Sequence, residues 1–172
     1  MPDPAPFDPE RILSVLGQHA VEFVLVGALA ARLQGFPRLT ADADVTPANT
    51  PENLVRLAAA LRELEARVYT ESVPEGLPFD CSGPTLGRAD LWNLVSAAGR
   101  IDLILRPSGT TGYEELRLTA IHFDFHGVPL LVASLEDILR SKMASDRPQD
   151  RQDAMVIREI LAADRARDAW GK

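Results

Sequence analysis

The sequence predicts an α/β fold of the α+β kind: a small mixed β-sheet flanked by helices, ending in a C-terminal helical segment. Apolar residues make up 46% of the 172 residues but aromatics only 6%, so Ala, Leu and Val must fill the interior, as where helices pack on aliphatic strands. Short aliphatic runs of strand length interchange along the chain with stretches of helical period. Glycine and proline mark most of the changes between them. A chain of this length builds one core, so a single domain over 1–172 is expected, with 1–7 as a flexible leader and 134–172 as C-terminal helices.

Each element has its own local reason. Asp8 caps a helix that opens on Pro9, carries Ile12, Leu13, Val15 and Leu16 at helical spacing, and stops at Gly17. The run VEFVLV, 21–26, has the length and composition of a strand buried on both faces, and it breaks at Gly27. ALAARLQG then reads as a short helix ending at Gly35. Residues 38–46, RLTADADVT, alternate with period 2, which puts Asp42 and Asp44 on one face and Ala43 and Val45 on the other. Asn49 or Thr50 with Pro51 starts a helix over 52–67, striped with Leu54, Leu57, Ala58, Leu61 and Leu64. The Gly/Pro/Ser/Thr-rich stretch 70–90 reads as a long loop, either a substrate-side lid or a tolerated insertion. Strands follow at 91–96 and 101–105 around a turn at Ala98, Gly99 and Arg100, then a hairpin of TAIHFDF and VPLLVA turning at His126 and Gly127. Ser134 and Asp137 form a capping box for the helix SLEDILRSKMA, and a last helix runs from about Gln149 to Trp170, separated from it near Pro148. Trp92 and Trp170 are expected to pack against the core.

Composition limits the possible partners. The formal charge is −7 with the arginines scattered among acids, so no basic arm supports nonspecific duplex binding. One cysteine, Cys81, permits no intrachain disulfide and no thiolate metal site from this chain alone. No stretch approaches the roughly 20 apolar residues of a membrane span, and the N-terminus lacks the pattern of a signal peptide; a cytoplasmic, soluble protein is expected. His19, His122 and His126 show no metal-ligand spacing and read as ordinary surface or strand histidines.

The chemistry concentrates in two segments. Aspartates at i and i+2 on a strand project two carboxylates to one side, close enough to share a divalent ion, and oxygen-only ligands favour a hard cation, Mg2+ first and Mn2+ as its substitute. A two-metal arrangement calls for a third carboxylate to hold the second ion and take a proton from an attacking hydroxyl. Asp102, opening the strand IDLIL, supplies it. Upstream, a buried strand ends at Gly27 and a helix begins at once, where the backbone can approach a triphosphate and the helix N-terminus favours negative charge. Arg38 could meet phosphate or pair with Asp42 or Asp44, and Thr40 could be no more than a β-favouring residue.

Val26-Gly27-Ala28, thirteen residues, then Asp42-Ala43-Asp44-Val45 resembles the signature of the nucleotidyltransferase superfamily. The fuller segment FVLVGALAARLQGFPRLTADADV, with Arg38, Thr40, Asp42 and Asp44, is similar to the branch holding the AbiEii and MenT type toxins. The resemblance implies a nucleotidyltransferase fold and a magnesium-dependent enzyme that takes an NTP and acts on a tRNA 3′ end or a protein hydroxyl, with an antitoxin as partner. It further implies that Lys142 contacts the nucleotide phosphates, that Gly27, Ala28, Arg38 and Thr40 line the nucleotide site, and that Asp150 or Asp153 is a supporting acid. One position departs from the family pattern: Ser or Gly usually follows the first glycine, and Ala28 keeps the backbone N–H and the small size without a hydroxyl. Two rival expectations remain, an antibiotic nucleotidyltransferase using the same core and a noncatalytic member that binds a partner protein.

Overall fold

The computed structural model describes residues 5–171. In chain order its elements are α1 (Pro9–Gln18), β1 (Phe23–Val26), α2 (Gly27–Leu33), β2 (Asp42–Pro47), α3 (Pro51–Glu63), β3 (Arg67–Thr70), β4 (Val73–Leu77), α4 (Gly83–Leu86), β5 (Leu91–Ser96), β6 (Gly99–Ile104), α5 (Tyr113–Thr119), β7 (Ile121–Phe125), β8 (Val128–Val132), α6 (Leu135–Ser145) and α7 (Pro148–Trp170). The strands form one mixed sheet in the order β4-β3-β5-β6-β2-β1-β8-β7, flanked by helices as the composition requires. No helix among the described residues is long and apolar enough to cross a membrane.

Period-2 alternation decides which side of the central strands is core. Ala43 and Val45 of β2 and Ile101 and Leu103 of β6 are fully buried, in one cluster with Ile12, Leu13 and Leu16 of α1 and Leu57 and Leu61 of α3. Burying side chains of this size stabilises by about 1.5–3 kcal/mol each, so these two strands are held flat against their helices and their other face is left for polar residues. Asn53 ties the first turn of α3 to the entry of β1. Its amide donates to the carbonyls of Glu22 and Ala48 at 2.9 Å, and its oxygen accepts from Glu22 N–H at 2.8 Å.

Several elements differ from expectation for identifiable reasons. The stretch 70–90, read as a long loop, contains the end of β3 and all of β4 and α4; β4 includes Pro74 and lies at the sheet edge, where a strand proline is tolerated. The helix read over 52–67 ends at Glu63, because Ala66 and Arg67 are drawn into the path of β3, which pairs with β5. The strand read from 38 begins only at Asp42. Helix α5 forms where the sequence predicts no element, and the turn between β5 and β6 is Ala97-Ala98, with Gly99 (φ 95°) and Arg100 already in the ladder. The hairpin at His126-Gly127 forms as expected, both residues having positive φ (51° and 84°). Ser134 caps α6 by accepting from Asp137 N–H at 3.1 Å, but the box is half-made, since Asp137 turns instead to Thr119 and Arg140. Trp92 does pack against the core and donates to Leu86 C=O at 3.0 Å, whereas Trp170 is 89% exposed at the end of α7 and anchors nothing. Of the expected leader, residues 1–4 lie outside the described residues; Phe7 packs over Gly99 and Asp8 N–H donates to Ala98 C=O at 2.9 Å, so its end is fixed to the fold.

Candidate active site

The register of the three central strands assembles the carboxylates. β2 runs parallel to β6 with Asp44 opposite Asp102, and antiparallel to β1 with Asp44 opposite Val26, the residue before Gly27. Asp42, two residues back on the same face, stands opposite Arg100. One carboxylate oxygen from each of Asp42, Asp44 and Asp102 falls within 4.8 Å of the others, a grouping able to hold a metal ion.

Gly27 is part of the same construction. It takes φ +70° where β1 turns into α2, and a Cβ built on it would lie 2.0 Å from Asp44 Oδ2. Any side chain at this position would therefore occupy the space of the carboxylate itself. Ala28, one residue on, is buried in α2. The strand–helix junction and the carboxylate cluster are one site, and both line a cavity of about 880 Å³ bounded on its far side by α6 and the start of α7.

The electrostatics are those of an unbalanced acidic cluster. Burial, reinforced by the charges of Asp42 and Asp102, pushes the Asp44 carboxyl up to about 7, with Lys142 and Arg147 offsetting part of the effect. Burial also raises Asp102, against the opposing charge of Arg100. Among the described residues, buried Asp102 Oδ1 has no hydrogen-bond partner, and Arg100 Nη2 stands 3.6 Å from it, beyond hydrogen-bond distance. An all-oxygen donor set, an orphaned carboxylate oxygen and a carboxyl whose ionised form is disfavoured by burial and by its acidic neighbours all fit a divalent cation.

Around the cluster the remaining expected residues take definite places. Thr40 hydroxyl donates to Asp42 Oδ1 at 2.8 Å and so orients the first carboxylate. Arg38 pairs with neither Asp42 nor Asp44: its Nη2 lies 2.9 Å from Asp153 Oδ2. Lys142, on α6 at the cavity wall, is held 3.4 Å from Asp150 Oδ1 and 2.8 Å from Asp153 Oδ2, both acids being 3% exposed. Burial alone would raise Asp150, but hydrogen bonds from Arg147 and Ser145 and the charges of Lys142 and Arg147 outweigh it and hold the carboxyl at about 2. Asp150 and Asp153 thus sit behind the cations of the cavity wall, apart from the three-carboxylate cluster.

Sequence reasoning missed four residues beside these. Asn93 lies opposite Asp102 in the β5–β6 ladder and lines the cavity. Arg100 shares the face of Asp102 and stacks on Tyr69, its guanidinium carbon 3.6 Å from the ring centroid. Arg147, at the α6–α7 junction, reaches the cavity. The period-2 rule that grouped the aspartates would also have found Arg100. Tyr69 lies on β3, between the helix expected over 52–67 and the loop expected over 70–90, where the sequence predicts no element.

This architecture is the nucleotidyltransferase fold, and solved structures share it at low identity. The lincosamide antibiotic adenylyltransferase LnuA, solved with lincomycin bound, aligns with 90% of this chain and 99% of its own at 12% identity and a TM-score of 0.57. The antibiotic-resistance factor ANT(2'')-Ia aligns with 94% and 91% at 19% identity and a TM-score of 0.53. The model of a family described as nucleotidyltransferases of unknown function matches residues 10–163, and the chain belongs to that family. No curated protein matched it in sequence. The chain is thus an enzyme of the nucleotidyltransferase class.

Proposed function

We propose that the enzyme transfers a nucleoside monophosphate from an NTP to an acceptor hydroxyl, with Mg2+ held by Asp42, Asp44 and Asp102 and Mn2+ able to replace it. The observation that carries this reading is the convergence of those three carboxylates within 4.8 Å beside Gly27. When bound, the ion would supply charge stabilisation at the transferring phosphoryl oxygens. Asp102 takes the proton from the acceptor hydroxyl, whose oxygen forms a bond to the α-phosphorus as the α–β bridging bond breaks and pyrophosphate leaves. Thr40 keeps Asp42 turned to its task. Gly27 and Ala28 let the backbone approach the nucleotide, and Arg38 and Lys142 face its phosphates from the opposite wall. A lysine ammonium has three donors, so Lys142 retains one beyond those engaged by Asp150 and Asp153. These two acids act as supports that fix the cations in place.

For the acceptor, the resemblance of the segment 23–45 to the AbiEii and MenT branch supports a tRNA 3′ end or a protein hydroxyl, in a cytoplasmic toxin–antitoxin setting with an antitoxin as partner. A second reading, a small hydroxylated antibiotic, is favoured by the shared fold of LnuA and of ANT(2'')-Ia, the latter solved with adenylyl-2''-tobramycin. A noncatalytic, partner-binding role rests on Ala28 and on the acidic surface implied by a formal charge of −7. The test is incubation with each α-labelled NTP and Mg2+, with total tRNA, lincomycin or tobramycin in separate arms, beside the Asp42→Ala, Asp44→Ala double variant. Label on one acceptor that is lost in the double variant is expected and chooses among the readings. Absence of label on every acceptor and on the protein itself would favour the noncatalytic role.

A further inference from the structure

We propose that Arg100, braced on Tyr69, is a built-in counter-cation to Asp102 that restrains divalent-ion capture at the third carboxylate; this rests on the metal reading of the cluster given above. Arg100 and Asp102 lie two residues apart on β6 and share the polar face of the sheet. Arg100 Nη2 sits 3.6 Å from Asp102 Oδ1, the carboxylate oxygen that is buried and accepts no hydrogen bond. The guanidinium sits over the ring of Tyr69 of β3, its carbon 3.6 Å from the centroid, and a cation placed over an aromatic face is attracted to the ring and held there. Its Nε is buried with no partner among the described residues, so the group has given up a hydrogen bond to occupy this place. Backbone pairing to Val95 on one side and Asp42 on the other leaves the base of the side chain no freedom to withdraw.

A fixed positive charge beside a carboxylate has one sign of effect on a second cation approaching that carboxylate: it repels it. Among the described residues Asp42 and Asp44 form no ion pair; Lys142 and Arg147, whose charges act on Asp44 from beyond ion-pair distance, are themselves paired with Asp150 and Asp153. The three ligands are therefore unequal, and the limb of the site at Asp102 is the weaker for a divalent ion. Nucleotide phosphates, by bringing negative charge, would relieve the repulsion, so that full ion loading follows the nucleotide instead of preceding it.

Calorimetric titration of the whole protein with MnCl2, in the absence of nucleotide, tests this by the sign of the change. Arg100→Gln is expected to bind Mn2+ about tenfold more tightly than wild type, the size of effect a neighbouring unit charge commonly has on a carboxylate equilibrium. Arg100→Lys, which keeps the charge, should stay close to wild type. Tyr69→Leu, which removes the brace and leaves Arg100 in place, should tighten binding by a smaller factor and serves in place of Arg100→Gln if that variant fails to fold. A merely structural role for Arg100 predicts the opposite, since damage to the site weakens binding. Equal or weaker Mn2+ binding by a folded Arg100→Gln, with uptake still abolished by Asp42→Asn and Asp44→Asn together, overturns the restraint and leaves the metal reading standing. No uptake by wild type or by any Arg100 or Tyr69 variant overturns both.

Discussion

At the scale of single residues, the site depends on an absence of atoms at position 27. With φ +70° and no space for a Cβ, Gly27 carries two separate penalties on substitution. The left-handed backbone costs a non-glycine residue roughly 1–2 kcal/mol, and the contact at 2.0 Å from Asp44 Oδ2 forces either the strand or the carboxylate to move. Gly27→Ala is expected to lower stability by about 2–4 kcal/mol and to abolish Mg2+-dependent labelling by displacing Asp44. Thermal unfolding and the labelling assay measure the two effects separately. A variant that keeps wild-type stability and transfer rate contradicts the described contact.

At the scale of elements, the α6–α7 junction is a buried charge network. Lys142 lies between Asp150 and Asp153, each 3% exposed, with Arg38 and Arg147 approaching the same two acids from outside. Removing one partner from a buried pair leaves an uncompensated charge, at a cost of about 3–5 kcal/mol. Lys142→Met is expected to lose that much, read as a fall in Tm of roughly 6–20 °C for a chain of this size. A fall of only a degree or two would mean that Arg38 and Arg147 neutralise the acids without it.

What was legible in the sequence divides along the same elements. Asp42, Asp44 and Gly27 were readable because period-2 alternation and a strand ending at glycine are local patterns. Asp102 was placed on its strand, but its pairing with Asp44 depends on a parallel crossover that no local pattern encodes. Arg38 was taken toward phosphate or the first aspartates, and its nearest acid proved to be Asp153, 115 positions away. The β3–β4 hairpin was hidden because its strands are short, contain Pro74 and Gly76, and bury little, so they show none of the alternation of a half-buried strand.

At the scale of the whole molecule, the cluster makes stability depend on pH and, on the proposed metal reading, on ions. Asp44 holds its proton to about pH 7 against an ordinary value of 3.8, so the native state binds that proton more tightly than the unfolded chain. Its contribution is complete below about pH 4 and is lost as pH rises through about 7. At about 1.4 kcal/mol per unit the loss is at most roughly 4 kcal/mol, and the raised Asp102 acts in the same direction. Asp150, held at about 2, works oppositely, but its stabilisation disappears only as pH falls from about 4 towards 2. Between pH 5 and 8 in EDTA, Tm should therefore fall with rising pH. Saturating Mg2+ should reverse the fall at pH 8, since an ion at 100 times its Kd adds about 2.7 kcal/mol, and Asp44→Asn should flatten the curve. A Tm that rises across this range in EDTA would contradict the raised carboxyl.

The contact between Gly27 and Asp44 also reaches beyond this one chain. Two positions that share one volume cannot drift separately through descent: a lineage that acquires a side chain at the first must shorten or lose the acid at the second. On the proposed reading, a relative carrying a side chain at the first position and lacking the acid at the second would have retired from catalysis, and that paired change would reveal it in a genome before any protein is purified.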